Sequence, residues 1–367
     1  MKKCKAQSAE RKEKRAWFCF LRYALCALLF ALIIPGCTEN NRMYKESRVL
    51  MDTYCTITVV SPEKEAARGA IEAGFAEIQK LDLLLNYFSD DSEISAINRA
   101  AGNHPVKVSR ETLDMMKKTL YISEMTNGVF DPTIAPVVSL WNFSKDMSNP
   151  LVPSKNIIAS TVKLVDYEKV KIDSDKLEVF LEDNDMELDL GGIAKGYAAD
   201  RAVEAIKARG IKAALVAVAG DIRGFGLNTS GNAWKVGIQN PRPDSLSDKP
   251  WEDIIASLHL GNMAISTSGD YQRFFIKDGK RFHHILDPET GFPAESDLVS
   301  VSVIAPEGYL SDSLSTTVFA LGLERGLSFL ESSGLDGVLI NAEKKVFVTK
   351  NLKGKLEMLN NEYRLAE

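Results

Sequence analysis

Runs with the period of a helix and runs with the composition of a strand alternate along most of this chain, and one junction is a tight hairpin. Asp278-Gly279 sits between residues 273–277 and 280–285, a pair that supplies the two left-handed positions of a two-residue turn. Hairpins and helical crossovers in one chain point to a mixed sheet rather than a doubly wound parallel one. The expected fold class is α/β with a mixed sheet (α+β in the wider sense). Strands are expected over 53–60, ending at 188–190, over 213–218, 298–305, 338–341 and 345–350. Helices are expected over 63–87, 110–126, 194–209 (closed by Gly210), 312–321 and 324–331.

The N-terminus obeys a different grammar. Residues 1–36 hold eight Lys/Arg and two Asp/Glu, which leaves 37 basic against 48 acidic residues and a net charge of −11 in the remainder. A body that acidic is a poor general partner for nucleic acid, whose phosphates demand Lys and Arg. The basic stretch precedes an apolar run over 24–34 and then Ile34-Pro35-Gly36-Cys37. That is the order of a secretory leader, and the final four residues resemble a bacterial lipobox, in which cleavage precedes a cysteine that is then lipidated. The expectation is a signal peptide over 1–36, lipidation at Cys37, a polar tether over 37–46 and one domain over 47–360. An uncleaved anchor is the alternative, but its apolar run is short against the roughly 20 residues that span a bilayer. Cys4, Cys19 and Cys26 fall in the leader, so Cys55 is the one cysteine left in the body. No disulfide can form within the body, and no spacing suggests zinc.

Four segments carry possible chemistry. Asp189-Leu-Gly-Gly-Ile-Ala-Lys-Gly-Tyr-Ala-Ala-Asp200 reads as strand, glycine turn and helix start, where main-chain N–H groups meet anions. It is neither a Walker loop nor a dinucleotide fingerprint, and two such glycines read alone are more often an ordinary tight turn. Asp312 and Thr316 lie four apart, so one helical face presents both oxygens, the donors that Mg²⁺ prefers. Their ordinary reading is a helix cap at Ser311 or Asp312. His284, within His283-His284-Ile-Leu-Asp287-Pro288, is a candidate base or simply a hairpin histidine. Gly128-Val-Phe130-Asp131-Pro132-Thr133 offers an aromatic ring and a carboxylate at a proline turn, or merely ends a helix.

The joint order of these segments is far more specific than any one of them. With Met51-Asp-Thr53, Phe88-Ser-Asp-Asp-Ser-Glu-Ile-Ser, Ala219-Gly220-Asp221-Ile and Ser266-Thr-Ser268-Gly269-Asp270-Tyr271, they resemble the ApbE family of lipoproteins, the FAD:protein FMN transferases. The resemblance runs from about Met51 to Leu323.

It implies a T-fold-related architecture with FAD in a cleft between lobes. It places Mg²⁺ on Asp312, Thr316 and the carbonyl of Gly192. It places FAD beside Met51, Val129, Phe130, Asp131, Asp189, Lys195 and Leu286. It makes His284 and Asp312 the catalytic pair, His284 activating the acceptor hydroxyl. Asp52 stands where the family commonly has glycine, and the residue at Lys195 varies. The implied reaction is Mg²⁺-dependent transfer of the FMN half of FAD to a Thr or Ser hydroxyl of an acceptor protein, with release of AMP. Implied acceptors carry an Asp-x-x-Ser/Thr-Gly-Ala-Thr-like segment and belong to membrane redox complexes. The enzyme would be exported and lipid-anchored at a bacterial membrane, with no nucleic-acid partner. Two alternatives remain open at this point: an Mg²⁺-dependent FAD pyrophosphatase giving FMN and AMP, and a non-catalytic flavin-binding lipoprotein. Against the latter stand Asp312, Thr316 and His284 together, since binding alone needs no base.

Overall fold

The computed structural model describes residues 41–143, 150–243 and 248–366. The order of elements is β1 (Arg42–Leu50), β2 (Thr53–Ser61), α1 (Lys64–Leu85), α2 (Glu93–Arg99), β3 (Val106–Lys107), α3 (Arg110–Met125), α4 (Ala135–Trp141) and α5 (Lys155–Thr161). Then come β4 (Val170–Asp173), β5 (Glu178–Leu181), α6 (Ala194–Ala208), β6 (Ala213–Val218), β7 (Asp221–Phe225), β8 (Trp234–Gln239), β9 (Ile254–Leu260), β10 (Ala264–Gly269), β11 (Phe274–Lys277) and β12 (Lys280–His283). The chain closes with β13 (Leu298–Ala305), α7 (Gly308–Ser332), β14 (Asp336–Asn341), β15 (Lys345–Val348), β16 (Glu357–Met358) and β17 (Arg364–Leu365).

The central sheet has nine strands in the order β1-β2-β6-β7-β10-β13-β14-β15-β17. Every neighbouring pair is antiparallel except β15 with β17. The mixed sheet expected from the sequence is therefore present. Its first hairpin turns at Met51 and Asp52, both left-handed at φ 51° and 55°. That explains why glycine suits the place of Asp52, since aspartate is one of the few residues that tolerates this region. The hairpin turn at Asp278-Gly279 has the same form, with φ 51° and 77°.

The sheet is covered on both faces. On one side α1, α6 and α7 pack down: Ile71, Phe75 and Ile78 of α1 and Val203 and Ile206 of α6 meet Ile57, Val59, Val216 and Val218. On the other side a three-stranded sheet, β16-β9-β8, brings Val236, Ile238 and Leu258 against Ile265, Val299, Ile304 and Ile340. Each such aliphatic side chain gains roughly 1.5–3 kcal/mol from leaving water. Strand β13 runs between the two layers and is buried at every residue, so it reads as a nearly continuous apolar run without clean alternation. A third cluster joins α4 and α5 to the β11–β12 hairpin, with Trp141 packed among Phe143, Phe275, Phe282 and Phe292.

The structure corrects four expectations. The tether expected over 37–46 does not extend through residue 46: Arg42 begins β1, an edge strand along which exposed and half-buried residues alternate. The domain likewise runs past residue 360, because β17 pairs with β15. Residues 188–190 are not a strand, since Leu188 is bonded through Asn98 and Asp189 N–H donates to the Pro132 carbonyl at 2.8 Å. Helix α7 starts at Gly308, a full turn before Asp312, so neither Ser311 nor Asp312 is its cap. The expected break between its halves does occur, at Gly322 with φ 77°. Cys37 and the leader lie outside the described residues.

Candidate functional site

Two helices cross where neither can carry a side chain. A Cβ on Gly196 of α6 would stand 2.1 Å from the Gly308 carbonyl oxygen, and one on Gly308 of α7 would stand 2.3 Å from the Gly196 oxygen. Glycine at both positions lets the backbones touch. That contact delivers the Asp312 carboxylate to the Gly196 N–H, which donates to its Oδ2 at 2.9 Å.

Asp312 is 4% exposed and Asp221, at the start of β7, is 5% exposed. A single ammonium serves both. Lys195 Nζ lies 3.1 Å from Asp221 Oδ2 and 3.6 Å from Asp312 Oδ1, and it donates to the Gly191 carbonyl at 3.3 Å. Burial, then the neighbouring Asp221, push the Asp312 carboxyl above the usual range, and Lys195 offsets part of this. Burial alone would lower the Lys195 ammonium, but the carboxylates of Asp221 and Asp312 override it and raise it. Two buried carboxylates against one ammonium leave a surplus negative charge in a dry place, an expensive arrangement unless another cation shares it.

The neighbouring donors are oxygens. Thr316 Oγ1 bonds Ser268 Oγ at 3.0 Å, and Ser268 also reaches Ser315 at 2.8 Å. One step earlier along the same pair of elements, Ser266 meets Ser311 at 2.9 Å. These hydroxyls fasten β10 to α7 and fix the face that presents Asp312 and Thr316. Gly192 lies against them: a Cβ there would be 4.0 Å from Thr316 Oγ1 and 3.3 Å from the Phe130 ring. Carboxylate, hydroxyl and main-chain carbonyl form the donor set of a hard cation that completes its shell with water or phosphate oxygens. No cluster of three His, Cys, Asp or Glu occurs among the described residues.

His284 stands at the other wall. Its main-chain N–H donates to the Arg273 carbonyl at 3.1 Å, and its Nδ1 lies 3.2 Å from the same oxygen. A carbonyl only accepts, so Nδ1 carries the proton and Nε2 keeps its lone pair. Burial, then Arg273, push this imidazole down to about 4, so it is neutral at pH 7. The positive charge of Lys195 adds to that shift, and Arg273 also acts on Asp189. Arg273 and Lys195 therefore lie near enough to His284, and to Asp189, to act on their charge.

The remaining expected residues divide. Asp189 accepts from Gly191 N–H at 2.8 Å and shapes the glycine turn, and burial raises its carboxyl. Phe130 is buried against Gly192, with Val129 preceding it at the end of the α3 turn. Asp131 is committed to the fold: it accepts from Thr133 N–H and hydroxyl at 2.8 and 2.6 Å and from Tyr167 N–H at 3.0 Å. Leu286 is buried in the Trp141 cluster. Met51 sits at the first hairpin, where its N–H donates to Asp82 at 2.9 Å.

Two residues went unassigned in the sequence. Asp221 belongs to a quoted motif, but nothing local shows that it faces Lys195. Asp200 closes the start of α7 from a different helix, accepting from Gly308 N–H at 2.7 Å, Tyr309 N–H at 3.0 Å and Arg223 Nε at 3.1 Å. The start of α7 has no cap of its own, since Glu307 makes no side-chain capping bond there.

Comparison with known proteins places the chain in one family. The sequence model of the ApbE family matches residues 51–339. A Treponema pallidum protein named FAD:protein FMN transferase is 33% identical over 345 residues, covering 90% of this chain and 93% of its own. One from Klebsiella pneumoniae is 30% identical over 330 residues, covering 90% and 99%. Among solved structures, the flavin transferase ApbE from Vibrio cholerae superposes with a TM-score of 0.76 at 26% identity, covering 86% of this chain and 99% of its own. The ApbE protein of Thermotoga maritima gives 0.77 at 31% identity with the same coverage.

Proposed function

The chain belongs to the ApbE family, and from that premise we infer that it is a transferase that moves the FMN half of FAD onto a protein. The observation that carries the chemistry is the pair of buried carboxylates, Asp221 and Asp312, sharing one ammonium beside the Thr316 hydroxyl and the Gly191-Gly192 turn.

Asp312, Thr316 and the Gly192 carbonyl would hold Mg²⁺, which when bound would draw charge from the pyrophosphate of FAD. Phe130 and the turn at Asp189 bound the flavin nucleotide, and Lys195 holds Asp312 and Asp221 in place at the phosphates. A Thr or Ser hydroxyl of the acceptor gives its proton to His284 Nε2 as its oxygen bonds to the FMN-side phosphorus. The phosphorus–oxygen bond to AMP breaks, and AMP leaves. The pyrophosphate brings negative charge toward an imidazole that its present neighbours depress, so bound FAD moves His284 toward useful basicity. Positioning and charge neutralisation do most of the work in such a transfer.

Cleavage before Cys37 and lipidation of its thiol would hold the exported enzyme at a membrane, beside acceptor subunits of membrane redox complexes. A Cys37→Ser chain grown with labelled fatty acid should carry no label; labelled protein would remove Cys37 as the anchor. The reaction itself is tested with the full chain in detergent, FAD, Mg²⁺ and a peptide bearing an Asp-x-x-Thr-Gly-Ala-Thr-like segment. Intact mass should rise by one FMN moiety and fail to do so with EDTA. Free FMN and AMP without peptide modification would make the protein a pyrophosphatase.

A further inference from the structure

Arg273 holds His284 through its main chain, yet its own side chain has no task in the fold. Its carbonyl accepts from the His284 N–H at 3.1 Å and lies 3.2 Å from Nδ1. Its guanidinium is exposed and has no hydrogen-bond or ion-pair partner among the described residues. Three neighbouring cations are committed. Lys195 holds Asp221 and Asp312 at 3.1 and 3.6 Å. Arg242 grips Asp270 through both carboxylate oxygens at 2.8 and 2.7 Å. Arg281 lies over the Phe274 ring at 3.7 Å and donates to the Asp270 carbonyl at 3.2 Å.

Strand register puts the free guanidinium beside the proposed base. Phe274 pairs with His283 and Phe275 with Phe282, so Arg273 stands opposite His284. Directly opposite residues share a face, with Cβ atoms about 5 Å apart, and so do residues two apart along a strand. The face of Arg273 and His284 is therefore that of Phe275 and Phe282, whose rings stack at 5.2 Å inside the Trp141 cluster. The other face carries Arg281 and His283, the latter edge-on to Phe319 of α7. The aromatic pair pins one face of the hairpin to the body, and the polar pair stands at the end away from the Asp278-Gly279 turn.

That end is fixed on both sides. Before it, Asp270 is clamped by Arg242. After it, the Ile285 carbonyl accepts from Ala294 N–H at 3.0 Å, and Leu286 bridges Pro293. A charged group on such a frame is preorganised for its ligand. Arg273 acts on Asp189 as well as on His284, so its charge reaches the glycine turn as well as the base.

We propose that the Arg273 guanidinium grips the non-bridging oxygens of the FMN-side phosphoryl group of FAD, and holds the charge that gathers on them as the acceptor oxygen bonds to phosphorus and the bond to AMP breaks. The inference rests on the transferase reading, which makes that phosphorus the reacting atom. His284 takes the proton of the attacking hydroxyl, so it stands on the attacking side. In an in-line displacement the leaving AMP oxygen is on the far side of phosphorus, and charge spreads over the oxygens between. A cation held beside His284 meets those equatorial oxygens rather than the leaving group. The planar fork of a guanidinium matches two of them at once. Once paired there, Arg273 no longer opposes a proton on His284, so one residue joins the binding of FAD to the readiness of the base.

The test compares Arg273→Gln and Arg273→Lys with the wild type, using the full chain in detergent with FAD, Mg²⁺ and the peptide of the transfer assay above. Peptide mass and AMP are followed together. FAD affinity, read by flavin fluorescence, reports folding and ground-state binding separately. In Arg273→Gln, kcat should fall on the order of 10²-fold or more while the Kd for FAD rises less than about tenfold, the split expected of a contact that strengthens in the transition state. Arg273→Lys should recover at least about tenfold of that loss, because the charge returns without the fork. Unchanged kcat in Arg273→Gln, with transfer intact, overturns the assignment and leaves the transferase standing. A loss confined to FAD affinity, or one that Arg273→Lys does not relieve, overturns it equally. Absence of FMN transfer by the wild type, with FAD bound or hydrolysed, overturns the transferase reading and this assignment with it.

Discussion

Two buried aspartates lie along the same helix pair and meet opposite fates. Asp200 of α6 is surrounded by donors: two N–H groups at the start of α7 and the Arg223 guanidinium. Asp312 of α7 receives one N–H, from Gly196, and shares a single ammonium with Asp221. Burial raises the carboxyl of both. The difference is what remains unsatisfied. Around Asp200 every oxygen is used and the charge is matched, so the group is a structural clasp. Around Asp312 one negative charge is left over, and a surplus of that kind is what a cation-binding site looks like before the cation.

The sharpest way to break this contrast is Asp312→Asn. Transfer should fall by on the order of 10³-fold or more, because several kcal/mol of charge stabilisation disappear with the carboxylate. The melting temperature of the metal-free protein should hold or rise, since a surplus buried charge is gone. A melt lowered as far as that of an Asp200 variant would make Asp312 a second clasp and end the comparison.

Asp200→Ala should behave in reverse. It strips the cap from α7 and leaves Arg223 without its partner, which costs about 2–4 kcal/mol in denaturant unfolding. FMN transfer per folded molecule should change little. A large loss of turnover in a protein that still binds FAD would place Asp200 in the active site instead.

The most gradual effect is a pH dependence. Burial pushes the Asp200 carboxyl up to about 6, above its ordinary value near 3.9. Folding therefore takes up a proton. The associated stability is present below about pH 4 and lost as pH rises through about 6, a loss of roughly 3 kcal/mol across the window. Unfolding curves of Asp200→Ala should lack that loss. If the variant keeps it, the linkage belongs to another group.

Much of the fold was legible because its signals are local. The β-branched run of β2, the glycine that ends α6 and the Asp-Gly turn of β11–β12 each act within a few residues. Asp312 and Thr316 were legible as a pair because helical spacing alone places them on one face. The strand expected at 188–190 failed for a corresponding reason: its apolar alternation is real, but Asn98 and Pro132 take its main-chain bonds and leave no ladder. The start of α7 was misplaced because its cap comes from α6, so no capping residue stands before it in the chain.

By itself, the sequence determined the mixed α/β class, the ordered motifs of the family and the candidate residues one by one, since propensity, turn chemistry and spacing are short-range. The tertiary structure decided which of them share a space. Gly196 meets Asp312 across 116 residues and Asp200 meets Gly308 across 108; only the packing of α6 on α7, backbone to backbone at two glycines, sets one aspartate as a clasp and leaves the other with charge to spare.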